Sequence, residues 1–419
     1  MMRSVVNNPR IKILIPIFIL GVGILMQLVK TLFVANFLPG PAFADWAVTI
    51  AFAQIFMAAG GCAAHTHFSA SLVAASRDGG DGSLPFSINR VFLMWVVIAP
   101  LSVPIIAFAL NLSAWPLIVS GVCLGLVNAW IGVALTPIYL SSTVTFAIIN
   151  LMKILIANLA IYAALIASGS AVAAILAEAL IALVMLILVR INGRKDLSHC
   201  VSRTTQGWWQ YVKSCWPYFK VAISGVVVAN IARVFLLWVV GRNDLGGYFY
   251  FAAFFAVGNQ ANYLASVIMG PYIRAAASKG DAEKERRLSW IIWGGALAFS
   301  AMLGILAGII ILNFLPPPFP IKESLIWMAT GTCFLILGRG SSVWGVIWVL
   351  VSKPGLATLS NYIYLLMASS LLGCCFFLKP NNIVIWVLMV EAALTVFLQP
   401  LLAVLFQKFH KEPMTLCKI

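Results

Sequence analysis

Long apolar runs alternate with short polar segments along almost the whole chain. A helix needs about 20 mostly apolar residues to cross a bilayer. We predict twelve membrane-spanning helices, at approximately 13–38, 43–65, 87–111, 115–139, 145–167, 171–190, 219–240, 247–272, 288–314, 325–350, 357–378 and 382–407. The first run follows Arg3, Arg10 and Lys12 but is too long for a signal peptide, so we predict that it stays uncleaved. The pattern as a whole predicts an all-α polytopic membrane protein.

Composition and charge support a membrane protein. Hydrophobic residues make up 62% of the chain and charged residues 9%, whereas soluble domains carry about 25% charged residues. In a soluble protein the net charge of +15 would indicate a nucleic-acid partner. With the N-terminus in the cytoplasm, however, inward segments hold 20 Lys and Arg and outward loops hold 3. Because inward loops are enriched in cations, we predict that both termini are cytoplasmic and that nucleic acid is not a partner.

The longest polar segment, 191–218, follows the sixth apolar run and contains the Trp208–Trp209 pair. We interpret it as an interfacial linker on the cytoplasmic side, with its indole rings at headgroup level. It divides the chain into two sets of six spans. The predicted domains are an N-terminal six-helix lobe 1–190, a linker 191–218, a C-terminal six-helix lobe 219–408 and a cytoplasmic tail 409–419.

The two halves carry similar turns. Leu38–Trp46 and Val240–Tyr248 each contain an apolar residue, a turn with Gly, and small and aromatic residues at matching offsets. At this offset Lys30 corresponds to Ala232, the neighbour of Arg233. Internal repeats are typical of secondary transporters. The sequence therefore predicts two pseudo-symmetric lobes related by an axis along the membrane normal.

Short motifs near the span ends allow a comparison with known membrane proteins. In the first half the turn Ala35–Phe43 is followed by Gly60–Gly61 and Ser76–Arg77. In the second half Asp244–Tyr248 has the form of a Leu-Gly-x-Tyr turn, and Gly270–Asp281 closes span eight. These motifs resemble the polysaccharide transporter family, which includes the O-antigen flippases, of the multidrug/oligosaccharidyl-lipid/polysaccharide (MOP) superfamily.

This resemblance covers nearly the whole chain in topology. The chain departs from the family pattern at Asn36, where the family often has Arg, and at Ala44, where it often has Gly. The resemblance implies a MOP/MATE-like fold with N-in and C-in termini, in which spans one, two, seven and eight line a central cationic cavity. By this resemblance Lys30 and Arg233 are expected to be cavity residues.

Six charged residues lie inside predicted spans and more than five residues from either span end, and a charge at the centre of a span costs about 2.5–3.5 kcal/mol on insertion scales. They are the cations Lys30, Lys153, Arg233 and Arg339 and the acids Glu178 and Glu391. Such residues usually face a bundle interior or a wet cavity. From the helical rise, Lys30 lies roughly 12 Å from the outer end of its span, and Arg233 and Lys153 about 10 Å from the ends of theirs. The four cations predict a ladder of sites for an anionic substrate.

Each of these residues also has a structural interpretation. Lys30 and Arg233 can form ion pairs with Glu178 and Glu391, and Lys153 can extend its ammonium group to the interface. Arg339 has small neighbours and no acid nearby in the sequence, so it is the hardest to explain structurally. The two glutamates are candidates for ion or proton coupling. Their matched places in the two halves are equally consistent with simple duplication.

Other motifs add little chemistry. His65 and His67 would point about 200° apart on a helix, so we predict no metal site. Gly121 and Gly125 have the spacing that allows close helix packing. The sequence contains no phosphate-binding P-loop, no metalloprotease motif and no nucleophile with a partner base. We therefore expect no catalytic residues and no cofactor.

The leading hypothesis is a flippase. By the resemblance, its substrate is a polyprenyl-diphosphate oligosaccharide, moved by alternating access across a bacterial inner membrane for O-antigen, capsule or exopolysaccharide assembly. The diphosphate is expected to bind the four intramembrane cations. Expected partners are the bilayer, a polysaccharide polymerase and chain-length proteins.

Two alternatives belong to other classes. An ion-coupled multidrug exporter of the MATE type is disfavoured, because four cations outnumber two acids within the spans. A membrane-embedded glycan ligase or polymerase is disfavoured, because no outward loop is longer than about ten residues.

Overall fold

The computed structural model describes residues 9–59, 115–141, 143–197, 208–240, 244–254, 279–314, 324–350, 353–378 and 382–409, with a few isolated positions between them. The first helices are α1 (Pro9–Phe37), α2 (Gly40–Ala59), α3 (Trp115–Ser141), α4 (Thr143–Ser168), α5 (Ala171–Leu197) and α6 (Trp208–Val239). After a helical segment at 244–254 come α7 (Ala282–Asn313), α8 (Leu325–Ser341), α9 (Val343–Leu350), α10 (Pro354–Leu378), α11 (Ile383–Ala393), a π-helix (Leu394–Leu398) and α12 (Gln399–Phe409). No strand occurs in these described ranges.

Nine stretches of the described helices are long and apolar enough to cross a membrane. They are Gly40–Ala58, Trp115–Leu135, Val144–Ser168, Ala171–Val189, Cys215–Val239, Ala282–Asn313, Leu325–Val349, Pro354–Leu378 and Ile383–Phe406. Each falls on a predicted span, and α1 covers the first predicted span with a shorter apolar stretch, Gly21–Phe37. The predicted spans 87–111 and 247–272 lie largely outside the described residues. The predicted all-α, multi-pass membrane fold is confirmed.

Several helix ends differ from the predicted span ends. Helix α5 continues to Leu197, past the predicted end at 190, and α6 begins at Trp208 rather than at 219. Both ends of the predicted linker are therefore helical. Arg194 and Lys195 are good helix formers, so α5 can continue beyond its apolar stretch. The residues between the two helices, 198–207, lie outside the described part.

The chain divides into two compact units, Met1–Val227 and Val228–Ile419. In the first unit α1 packs on α4, α2 on α3, and α5 on both α3 and α4. In the second unit α7 packs on α8, and α8 packs on α11 and the π-helix. The division falls inside α6, and the lobe boundaries that we predict from the sequence stay a prediction.

The distribution of polar and apolar side chains is that of a protein surrounded by lipid. Large apolar residues such as Leu180, Leu366 and Phe377 are exposed on the helix surfaces. Charged residues within the spans, including Lys30, Arg339 and Glu391, are instead buried. Lipid solvates apolar side chains but cannot solvate isolated charges, so ionisable groups in spans turn toward protein.

Close helix contact in the first unit depends on two glycines. A Cβ atom on Gly121 would lie 2.9 Å from the carbonyl oxygen of Thr49 on α2, and one on Gly125 would overlap the carbonyl oxygen of Ala53. The small-residue spacing on α3 therefore lets its backbone approach α2, as predicted. This contact fixes α3, which carries Asn128 toward the charged residues of α4 and α5.

Candidate functional site

All six ionisable residues that we predict within spans lie in the described part of the chain, three in each unit. In each unit, one cation contacts a carboxylate and another contacts an asparagine amide. The four contacts are Lys30 with Glu178, Lys153 with Asn128, Arg339 with Glu391 and Arg233 with Asn230. This common arrangement is the main feature of the candidate site.

In the first unit an ion pair joins α1 to α5. Nζ of Lys30 donates a hydrogen bond to Oε1 of Glu178 over 2.9 Å, and the two side chains are 8% and 15% exposed. Oε2 of Glu178 is buried and has no hydrogen-bond partner among the residues that the structure describes. The structural interpretation of Lys30 as an ion-pair partner of Glu178 therefore matches the geometry, and half of the carboxylate's accepting capacity is unused.

Lys153 lies on α4 and is held by α3. Its Nζ donates to Oδ1 of Asn128 over 3.3 Å, and it lies within electrostatic range of both Glu178 and Lys30. Nearby on α4, Nδ2 of Asn158 donates to the carbonyl oxygen of Met26, one turn before Lys30 on α1. Because Asn128 is uncharged, the positive charge of Lys153 is solvated by a dipole and is not neutralised by a hydrogen-bonded acid.

In the second unit Glu391 is the centre of a buried network. Nη2 of Arg339 lies 2.7 Å from Oε1 of Glu391, and the hydroxyl of Tyr248 donates to Oε2 over 2.9 Å. The side chains of Arg339 and Glu391 are only 7% and 4% exposed. Both carboxylate oxygens therefore have partners, and Arg339, which has no acid nearby in sequence, is neutralised by an acid on α11.

Arg233 does not contact Glu391, so the ion pair suggested between them is not formed. Instead, Nη1 of Arg233 donates to Oδ1 of Asn230 over 2.8 Å, one helical turn earlier on α6. Its guanidinium carbon lies 5.9 Å from the centre of the Phe249 ring, which is cation–π geometry. The acid forms its short pair with Arg339 because α8 packs directly on α11.

Both helices around the Arg339–Glu391 pair are irregular. Helix α8 ends at Ser341 and α9 begins at Val343, and a π-helix starts three residues after Glu391. Oγ of Ser341 donates to the carbonyl oxygen of Val396 within the π-helix over 3.3 Å. A π-helix pairs each backbone N–H with the carbonyl five residues earlier, and such rare segments are frequent at functional sites.

Four residues of the two clusters are absent from the sequence-based prediction of the site: Asn128, Asn230, Tyr248 and Phe249. Asn230 precedes Arg233 by three residues on one helical face, a spacing that brings side chains together and is readable from the sequence. Asn128 is a polar residue within an apolar span, which is also a signal. The contact of Tyr248 with Glu391 joins residues 143 positions apart and has no local signal.

No cluster of three or more His, Cys, Asp and Glu side chains that could hold a metal ion occurs among the residues the structure describes. His65 and His67 lie outside those residues. A further Lys–Glu pair, Lys353 with Glu285 at 3.0 Å, lies near helix ends and is more exposed, at 41% and 21%.

Comparison with known proteins shows the fold. No protein-family model and no curated protein matches the chain. An outward-facing multidrug resistance MATE family transporter of the MOP superfamily is similar, with a TM-score of 0.70 at 16% identity, over 96% of this chain and 97% of that one. A MOP superfamily transporter from Pyrococcus furiosus, described as having a binding pocket of reversed polarity, gives 0.65 at 12% identity over 96% and 95%.

The lipid II flippase MurJ in an inward closed conformation also matches, with a TM-score of 0.65 at 14% identity over 94% of this chain and 87% of that chain. These similarities extend over most of the length of each protein, so they concern the fold of nearly the whole chain and not a single motif. The chain is therefore a multi-pass membrane protein with the fold of the MOP superfamily transporters.

Proposed function

We propose that this protein is a flippase that moves a polyprenyl-diphosphate oligosaccharide across a bacterial inner membrane by alternating access. The assembly of O-antigen, capsule or exopolysaccharide is the corresponding role, with a polymerase and chain-length proteins as partners. The MOP fold supports transport, and the similarity to a lipid II flippase supports a lipid-linked substrate. The charges within the spans support an anionic headgroup.

The observation that carries the proposal is the surplus of one cation in each unit. Lys30 and Arg339 are each neutralised by a glutamate, whereas among the described residues Lys153 and Arg233 donate hydrogen bonds only to asparagine oxygens. A partly buried cation without a bonded acid is costly within a membrane span, and such residues usually mark functional sites. The net charge of each set of three ionisable residues is thus +1, which suits a phosphate-bearing substrate.

The two surplus cations can donate hydrogen bonds to phosphate oxygens without breaking an ion pair. An asparagine oxygen is a neutral acceptor, and a phosphate forms a shorter, stronger, charge-assisted hydrogen bond in its place. The Nε–H group of Arg233 is buried and has no protein partner in the described part of the chain, so it can donate to a ligand. Lys30 and Arg339 can bind the substrate only after each has lost its ion pair with a glutamate.

The two glutamates differ as candidates for ion coupling. Glu391 has both oxygens bonded, by Arg339 and Tyr248, whereas one oxygen of Glu178 has no partner in the described ranges. An exchangeable proton or cation needs a free oxygen, so Glu178 is the better coupling residue. Transport by the wild type is expected to depend on a proton or sodium gradient, and Glu178→Gln is expected to abolish that dependence.

The experiment compares Lys153→Gln and Arg233→Gln with wild type in reconstituted vesicles that contain a fluorescent polyprenyl-diphosphate sugar. Each variant is expected to reduce the flipping rate at least tenfold, because loss of one charge-assisted contact costs about 1.5–3 kcal/mol. Lys353→Gln, outside the apolar spans, is the matched control and keeps the wild-type rate. Wild-type rates in both cation variants would contradict the proposal.

A multidrug exporter remains the second candidate, because several proteins of similar fold are MATE transporters. Organic cations require an acidic site, and each unit here carries two intramembrane cations against one acid. Expression in a strain lacking its own exporters separates the two functions: a flippase leaves resistance to cationic dyes unchanged, and an exporter raises it.

A further inference from the structure

Glu178 and Glu391 lie on the helices of the sixth and twelfth predicted spans, which the predicted duplication would place in the same position of the two halves, but the two acids are bonded differently. Glu391 accepts from Arg339 and from Tyr248 and is 4% exposed. Within the described part of the chain, Glu178 accepts a hydrogen bond from Lys30 alone, its Oε2 has no partner, and its side chain is 15% exposed. A carboxylate held through both oxygens is fixed in place, whereas one held through a single oxygen can rotate away after the loss of one contact.

Two cations lie near Glu178, so its surroundings would carry a net positive charge if the carboxylate were absent. Lys30 on α1 and Lys153 on α4 both interact electrostatically with the carboxylate, and α3 contributes the neutral Asn128 and no charged residue among its described positions. Two ammonium groups therefore share one acid. Two neighbouring ammonium groups can bind an anion, but one of them, Lys30, is already paired with the carboxylate of Glu178.

We infer that Glu178 is a resident counterion, which neutralises Lys30 when no ligand is bound and is displaced from it by an anionic group such as the phosphate of a lipid diphosphate. Phosphate and carboxylate would repel each other at one ammonium group, so the two compete. In this inference, which rests on the proposed function, Glu178 sets the affinity of the first unit for anions, and Glu391 has no such role.

If Glu178 is a resident counterion, removal of its charge tightens substrate binding. Glu178→Gln retains the size of the side chain but leaves the charge of Lys30 free for the ligand. If the ion pair were purely structural, the same variant would weaken or abolish binding through loss of fold. If Glu178 contacted the ligand's sugar hydroxyls directly, binding would also weaken. The direction of the change therefore separates these roles.

The test uses the purified full chain in nanodiscs and measures binding of farnesyl diphosphate, with farnesol as the uncharged probe. Glu178→Gln is expected to tighten farnesyl diphosphate binding about tenfold, the effect of about one charge-assisted contact, and to leave farnesol binding unchanged. In a Lys30→Gln background the same substitution is expected to have no effect, because it acts through Lys30. Glu285→Gln, which frees the more exposed Lys353, is the matched control.

Unchanged or weaker diphosphate binding in folded Glu178→Gln overturns the inference, and so does equal tightening in Glu285→Gln. If Glu178→Gln does not fold, Glu178→Asp provides the measurement, because the shorter side chain weakens the contact with Lys30 and is expected to tighten binding in the same direction. A wild type that binds farnesyl diphosphate no better than farnesol contradicts the proposed function instead. The two failures are therefore distinguishable.

Discussion

Arg339 and Glu391 form the most deeply buried ion pair among the described residues, and its energetics can be tested by removing the partners singly and together. Arg339→Met leaves Glu391 buried with Tyr248 as its remaining partner and is expected to lower the free energy of unfolding by about 3–5 kcal/mol. Arg339→Met combined with Glu391→Met removes both charges and is expected to recover most of that loss, since apolar side chains of similar size replace a buried pair well.

Circular dichroism is used to monitor unfolding of each protein in mixed micelles. The wild type, Arg339→Met, Glu391→Met and the double variant form a double-mutant cycle, and a large coupling energy between the two positions is expected. Simple addition of the two single losses would mean that the contact contributes nothing of its own. Lys353→Met with Glu285→Met gives the comparison for an exposed pair, where a coupling of about 1 kcal/mol or less is expected.

At these residues the sequence was informative about position and uninformative about partners. Charges within apolar runs predict that all six ionisable residues face protein or a wet cavity, and they allow Lys30 to pair with Glu178. Arg339 and Glu391 are separated by 52 residues, and their contact depends on how α8 packs on α11. Helix packing of that kind leaves no signal in the local pattern of either helix.

At the level of the element, the approach of α3 to α2 gives the sharpest test. Gly125→Ala places a methyl group against the Ala53 carbonyl oxygen and is expected to lower the free energy of unfolding by about 1–3 kcal/mol. Gly294→Ala on α7 is the matched control, because a Cβ atom there meets nothing within 4 Å. The control is expected to raise stability by about 0.5–1 kcal/mol through helix propensity. Equal effects of both substitutions would show that α2 and α3 do not pack closely.

The helices themselves were predictable because apolar runs of sufficient length can only satisfy their backbone groups in lipid as helices. Their irregularities were not predictable. The break between α8 and α9 and the π-helix after α11 both lie beside the Arg339–Glu391 pair, where a Cβ atom on Gly338 would overlap the side chain of Thr395. Local packing, and not hydropathy, determines such breaks, so a hydropathy pattern shows an uninterrupted span.

At the level of the whole molecule, the distribution of cations makes a definite prediction about sidedness. Fusion of alkaline phosphatase, which is active only outside the cytoplasm, after Gly169 in the turn between α4 and α5 is expected to give high activity. Fusions after Arg203 and after the C-terminal Ile419 are expected to be inactive. The physical reason is that Lys and Arg are retained on the cytoplasmic side, where 20 of the 27 would lie.

The C-terminal fusion also tests the number of spans. With a cytoplasmic N-terminus, an even number of spans returns the C-terminus to the cytoplasm, and the twelve predicted spans include two that lie largely outside the described residues. An active C-terminal fusion together with an inactive fusion after Arg203 would mean an odd number of spans in the second half. Low activity at both positions requires an even number there, which is the arrangement needed for two six-span halves of parallel orientation. That parity is a precondition for treating Glu178 and Glu391 as corresponding residues that have acquired different roles.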